Sequence, residues 1–264
     1  QTINSDFNPT GTFYTISHWN AIFAPSLRWL FQQFDRLNLI TIIALVGGFL
    51  LLWLAARSKD PRFLQAGVPL SIATTGFAGM IFDLMLTFAF QAIYGYVFSW
   101  IGLLVAFFMA GAACGAILIA AVIERLRDCV GYFRMTELAI MGFSIGVPLL
   151  LLAVKTYLEG GDVFFVSRWL FLVISYAVFC LKKKKFPLAN KLCLQAQSAT
   201  LGKTAGLLYA SDLLGGWLGG ILGAVVLLPV LGLVGAGATV GLLKLVSFLI
   251  VSTQPISSSG EVGL

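Results

Sequence analysis

The chain has 264 residues, of which 59% are hydrophobic and 11% charged, with a formal net charge of +6 and a mean hydropathy of +0.96. Such a chain has no polar stretch long enough for a separate soluble domain and reads as one membrane domain. The positive excess belongs to short loops that face anionic lipid headgroups, so nucleic acid is not an expected partner.

Residues 1–37 form an N-terminal segment that does not read as a signal peptide, since it lacks a basic start, an apolar core and a small-residue cleavage site. Within it, Pro25 and Ser26 precede Leu27, Leu30, Phe31 and Phe34, a helical stripe opposite Arg28, Gln32, Gln33 and Asp35. A short amphipathic helix is expected there, lying on the membrane surface, receiving a partner domain or folding back on the bundle. Trp19 and Trp29 suit the headgroup level.

Seven apolar runs follow, approximately Leu39–Ala56, Gly67–Phe90, Tyr96–Ile123, Thr136–Tyr157, Val163–Leu181, Leu207–Pro229 and Leu231–Val251. Each is near the roughly 20 residues a helix needs to cross the hydrocarbon layer, where a helix is the only open structure that satisfies its own amides. The expected fold is therefore all-α, a polytopic bundle of about seven membrane-spanning helices over residues 38–252, with 253–264 as a tail.

The gaps between runs alternate in charge. Arg57, Lys59 and Arg62 follow the first run, Arg125, Arg127 and Arg134 the third, and Lys182 to Lys185, Lys191 and Lys203 the fifth. The N-terminal segment has only Arg28 and Arg36, and the gaps Gln91–Gly95 and Glu159–Asp162 have no Lys or Arg. Positive loops stay cytoplasmic, so the N-terminus is expected outside and the C-terminus inside, in a membrane such as the bacterial inner membrane. Cys129 and Cys193 fall in the expected cytoplasmic loops, Cys114 and Cys180 in or beside spans, and no CxxC suggests a disulfide.

Several chemistries lack their residues. The single histidine, His18, lies outside the runs, which leaves no axial pair for a b-type haem and no His/Cys cluster for a metal. Gly202-Lys203-Thr204 resembles the end of a phosphate-binding loop, but Gln197 stands where that loop needs glycine. No nucleophile elbow, HExxH or GxGxxG is present, so no cofactor and no catalytic residue is expected.

Ionisable residues inside spans are costly and each is a functional candidate. Asp83 lies in the outer half of the second run, roughly 24 Å from its start at 1.5 Å per residue. It serves either as a carboxyl bonded to Thr87 or to backbone near Gly76 and Gly79, or as a cation or proton site. Asp212 and Lys244 share a depth near the inner ends of the sixth and seventh runs, which suggests a mutual ion pair, unless Lys244 snorkels to the headgroups. Glu137, at the start of the fourth run, is expected to be satisfied by helix N-terminal amides. Glycines at four-residue spacing, Gly111 and Gly115, Gly142 and Gly146, Gly215, Gly219 and Gly223, and Gly237 and Gly241, mark close helix approaches or a docking face for another subunit.

Thr75-Gly76-Phe77-Ala78-Gly79-Met80-Ile81-Phe82-Asp83-Leu84, continuing through Phe90-Gln91-Ala92-Ile93-Tyr94-Gly95-Tyr96 to Phe108-Met109-Ala110-Gly111, resembles the membrane domain of the spermidine-synthase-like membrane proteins. So does Leu208-Tyr209-Ala210-Ser211-Asp212-Leu213-Leu214-Gly215-Gly216, followed by Leu227-Leu228-Pro229-Val230-Leu231-Gly232-Leu233. In that family a membrane part is joined to an aminopropyltransferase-like domain, and Asn4-Ser5-Asp6-Phe7-Asn8-Pro9, with Tyr14 and Trp19, looks like the tail of such a domain. The family commonly has Glu at the position of Asp83, and the transferase's glycine-rich loop and acids are absent from this chain. The resemblance implies the membrane half of such a protein, without transferase activity of its own.

Two functions are therefore expected. The first is a non-catalytic membrane anchor, scaffold or accessory subunit that holds other membrane or external subunits through its glycine faces and N-terminal segment. The alternative is a transporter of a cation, a polyamine or proton, using Asp83 and Asp212.

Overall fold

The computed structural model describes residues 10–23, 28–34, 37–59, 66–94, 98–123, 129–158, 164–196 and 201–253. Helices α1 (Thr10–Phe23) and α2 (Arg28–Phe34) precede α3 (Leu39–Lys59), α4 (Gly67–Tyr94), α5 (Phe98–Val122), α6 (Cys129–Leu158), α7 (Phe164–Ala196), α8 (Leu201–Leu222), a π-helical turn (Gly223–Leu227) and α9 (Leu228–Ser252). Among the described residues there is no strand, as expected where apolar surroundings leave backbone groups only their own helix to bond. Five stretches are long and apolar enough to cross a membrane: Leu39–Arg57, Gly67–Tyr94, Ser99–Ala121, Cys129–Val154 and Gly202–Ser252.

The last stretch holds 51 residues, far more than one crossing needs, and it folds back on itself. Pro229 has no N–H for the carbonyl four residues earlier and its ring crowds that turn, which is opened into the π-helical segment Gly223–Leu227. Three residues later Gly232 adopts φ 68° and ψ −173°, a conformation that glycine alone reaches cheaply. Beyond it, Gly237 lies against Pro148 and Gly241 against Ser144, so α9 runs antiparallel to α6. Gly215 and Gly219 instead meet Ala73 and Phe77 in order along α4, so α8 runs parallel to α4. Asn38 starts α3 by accepting the Thr41 amide at 2.9 Å, while its own amide donates to the Thr41 hydroxyl at 3.0 Å.

A seven-residue helix, α2, covers Arg28–Phe34, and Thr10–Phe23 forms a further helix that the apolar runs do not mark. It rests on α9 and the π-helical turn and buries Phe13. The tail motif Asn4–Pro9 lies outside the described residues.

α7 is the largest departure. The fifth apolar run was bounded at Leu181, yet the helix continues to Ala196, with Pro187 inside it. The lysine run 182–185 is thus a turn of helix rather than a loop, and Lys185 is completely buried.

Two apolar clusters stack along the bundle. The larger gathers Phe82, Met85, Leu86, Phe90, Leu151, Phe171 and Val240; the smaller gathers Ile72, Phe133, Leu188, Leu192, Leu208 and Val251. Between them lies a layer of polar and charged side chains.

Candidate functional site

The polar layer is supplied by five helices. α4 contributes Ser71, Thr74 and Thr75, α6 Glu137, α7 Lys182 and Lys185, α8 Asp212, and α9 Lys244 and Ser247. Lys182 and Lys185 are three residues apart on one helix and therefore share a face.

Glu137 is the hub. Its Oε1 accepts from the Ser71 hydroxyl, from the Lys185 ammonium and, at 2.8 Å, from the Ser247 hydroxyl. Its Oε2 lies 3.2 Å from Lys244 Nζ, an ion-pair approach without hydrogen-bond alignment. Lys185 Nζ also donates to Ser71 Oγ at 2.7 Å and Thr75 Oγ1 at 2.8 Å, lies 3.2 Å from the Ser71 carbonyl, and sits 4.6 Å from the centre of the Phe133 ring. Lys244 Nζ donates to Thr75 Oγ1 at 2.6 Å and to Thr74 Oγ1 at 3.1 Å. Glu137, Lys185 and Lys244 are wholly buried.

A second pair adjoins this one. Lys182 Nζ is 3.3 Å from Asp212 Oδ1, with both side chains mostly buried. Two glycines of α4 make room for it: a Cβ on Gly76 would stand 2.9 Å from Asp212 Oδ1, and one on Gly79 would stand 3.0 Å from Lys182 Nζ. A cavity of about 10 Å³, lined by Thr75, Gly79, Phe82, Phe143 and Lys182 among others, offers space for about one water molecule beside them.

The expected Asp212–Lys244 pair is therefore replaced by two others, Asp212 with Lys182 and Lys244 with Glu137. Nor does Lys244 snorkel: its ammonium has three partners in the interior. Glu137 is not held by helix N-terminal amides, because α6 begins at Cys129 and its free amides lie about five to eight residues earlier. Asp83 stands apart, eight residues or roughly 12 Å along α4 from Thr75. Among the described residues it makes no ion pair and no hydrogen bond to Thr87. Sequence reasoning missed Lys182, Lys185 and the hydroxyls of α4; the i, i+3 spacing of the two lysines was the available signal.

Gly111 and Gly115 meet the Tyr176 and Cys180 backbone of α7, and Gly215 and Gly219 meet α4, with notional Cβ atoms between 1.9 and 2.7 Å from carbonyl oxygens. Gly223 faces the Ile81 and Leu84 side chains. These five are occupied within the chain, whereas Gly142 and Gly146 have nothing within 4 Å.

Among the described residues, three lysines thus face two carboxyl groups in a layer between the two apolar clusters. Chemically it can exchange ion-pair partners, hold or release a proton, or accept an anionic group. Among the described residues no three His, Cys, Asp or Glu side chains gather where a metal ion could sit. Comparison with protein-family models, curated proteins and solved structures finds no match.

Proposed function

We propose that this chain is a transport protein of the membrane, with the Glu137, Lys185, Lys244, Lys182 and Asp212 layer as its polar centre and an organic anion as its substrate. The observation that carries the reading is the make-up of that layer, in which three lysines meet two carboxyl groups among the described residues. Buried charge without compensation is expensive in an apolar interior, and an arriving anion would supply the missing partner. A cation handled by the aspartates is less well supported, since Asp212 is already neutralised by Lys182.

The accompanying topology is seven crossings, α3 to α9, with the N-terminus outside and the C-terminus inside a bacterial inner membrane. The fold-back at Gly232 supports counting the 51-residue stretch as two crossings, and the first half of α7 completes the count. The alternating loop charges support the orientation.

Electrical recording from the full chain reconstituted on a solid-supported membrane tests the reading. An organic anion is expected to displace charge, with the signal lost in Lys182→Met and kept in Asp83→Asn. No displacement above protein-free membranes, or displacement by polyamine cations alone, would overturn it.

A second reading is the accessory membrane half of a spermidine-synthase-like protein, holding another subunit. It is supported by the free face of α6 at Gly142 and Gly146. Native mass spectrometry after mild detergent extraction tests it, because a lone chain without any bound subunit would count against it.

A further inference from the structure

Away from the charged layer, two arginines meet at the end of the bundle where α3 stops, α6 starts and α9 stops. Arg57 closes the apolar stretch of α3, Arg134 lies in the second turn of α6, and the apolar stretch of α9 ends at Ser252. Both arginines therefore stand at the level of the lipid headgroups. Arg57 donates to the Thr253 carbonyl, and Arg134 donates at 3.3 Å to the Ser252 carbonyl. Those carbonyls are consecutive at the C-terminus of α9, so the two guanidinium groups are neighbours drawn from different helices. Neither forms an ion pair among the described residues, and Arg134 Nε and Ser252 Oγ are buried without a hydrogen-bond partner in the protein. Each guanidinium thus gives one donor to a carbonyl and keeps the others.

We infer that Arg57 and Arg134 together hold the phosphate of an anionic phospholipid headgroup. The planar fork of a guanidinium matches phosphate oxygens, and two forks from separate helices can grip one phosphate from two sides. The C-terminal dipole of α9 opposes this with about half an elementary charge. Two guanidinium charges exceed it, and the N-terminal dipole of α6, which starts at the same end, adds to them. The headgroup level is where lipid phosphates are concentrated, and a lipid of net negative charge is favoured because neither arginine has a carboxylate partner among the described residues. α3 buries only 6% of its apolar window, and Arg57 is a polar tie between it and the end of α9. A phosphate shared by Arg57 and Arg134 fastens α3 to α6 as well. Such a lipid site does not depend on what the charged layer transports.

The experiment uses the full chain, stripped of lipid in a neutral detergent, and native mass spectrometry with phosphatidylglycerol or phosphatidylcholine of the same acyl chains. One phosphatidylglycerol is expected to stay bound at about tenfold lower concentration than phosphatidylcholine, the difference expected for one charge-assisted hydrogen bond. Arg57→Gln and Arg134→Gln should each remove that preference. Lys203→Gln, which takes a charge from the exposed start of α8 at the same end, should keep it. Phosphatidylglycerol should also raise the thermal midpoint of the unaltered chain, whereas inorganic phosphate at the same concentration should not. If an arginine variant fails to fold, phosphatidylglycerol with a photoreactive diazirine beside its phosphate decides on the unaltered chain. It should label peptides holding Arg57 or Ser252, and label spread over both ends of the helices would overturn the inference. Equal retention of the two lipids, or equal loss of preference in Lys203→Gln, would do the same. Equal stabilisation by inorganic phosphate would assign the arginines to a soluble phosphate and overturn the lipid.

Discussion

Glu137 Oε2 and Lys244 Nζ stand 3.2 Å apart with neither side chain exposed, and the same carboxylate holds Lys185 through its other oxygen. The two lysines are therefore unequal partners. Lys185 reaches four oxygen atoms, including Glu137 Oε1, while Lys244 meets Oε2 without hydrogen-bond alignment.

Removing the acid should be far worse than removing the second base. Glu137→Gln leaves two buried ammonium groups without a counter-charge and is expected to cost about 3–5 kcal/mol. Lys244→Met leaves a balanced Glu137–Lys185 pair and is expected to cost less than about 1 kcal/mol or to stabilise. Reversible unfolding in mixed detergent micelles would compare them, and equal losses would contradict the shared-carboxylate description.

The Lys182–Asp212 pair is partly screened, with side-chain exposures of 15% and 13%. Asp212→Asn should cost about 1–2 kcal/mol, between the values for exposed and fully buried pairs. The double variant Lys182→Met with Asp212→Leu should lose less than the sum of the singles, which a double-mutant cycle measures directly. Additive losses would mean that the two groups do not interact.

Glycine substitutions should divide by environment. A Cβ at Gly215 would stand 1.9 Å from the Ala73 carbonyl oxygen, so Gly215→Ala should force α4 and α8 apart and cost about 2 kcal/mol or more. Gly142→Ala meets nothing within 4 Å and should stabilise α6 by up to about 1 kcal/mol through helix propensity alone. Thermal stability of the two variants in one detergent tests the contrast.

Cys193 lies beyond the last apolar stretch of α7, and burial pushes its thiol up to about 11 from an ordinary 9.0. Below pH 9 both folded and unfolded chains carry the neutral thiol, and between pH 9 and about 11 only the unfolded chain ionises. The Cys193 contribution to stability is therefore present below pH 9 and is lost as pH rises through that window. Iodoacetamide should leave Cys193 unmodified in the folded chain at pH 9, as read by peptide mass spectrometry. Rapid modification there would contradict its burial.

Much of the helical framework was legible because the length of an apolar run is a local property. The runs Gly67–Phe90 and Tyr96–Ile123 are read directly from consecutive residues and correspond to α4 and α5, and Gly215, Gly219 and Gly223 announce a close approach by spacing alone. The end of α7 was not legible, because four consecutive lysines look like a solvated loop unless something inside the protein accepts their charge. Glu137 does so for Lys185 and Asp212 for Lys182, but they lie 48 and 30 positions away from the lysines they bind.

By itself, the sequence determined that this chain is a bundle of apolar helices, since no other backbone arrangement meets its own hydrogen bonds in such surroundings. Only the tertiary structure decided which charges meet. Depth along a helix follows from counting residues, but partnership also depends on rotation about each helix axis and on which helices are neighbours. Those are set by contacts between distant segments, and they placed Lys244 beside Glu137 instead of Asp212.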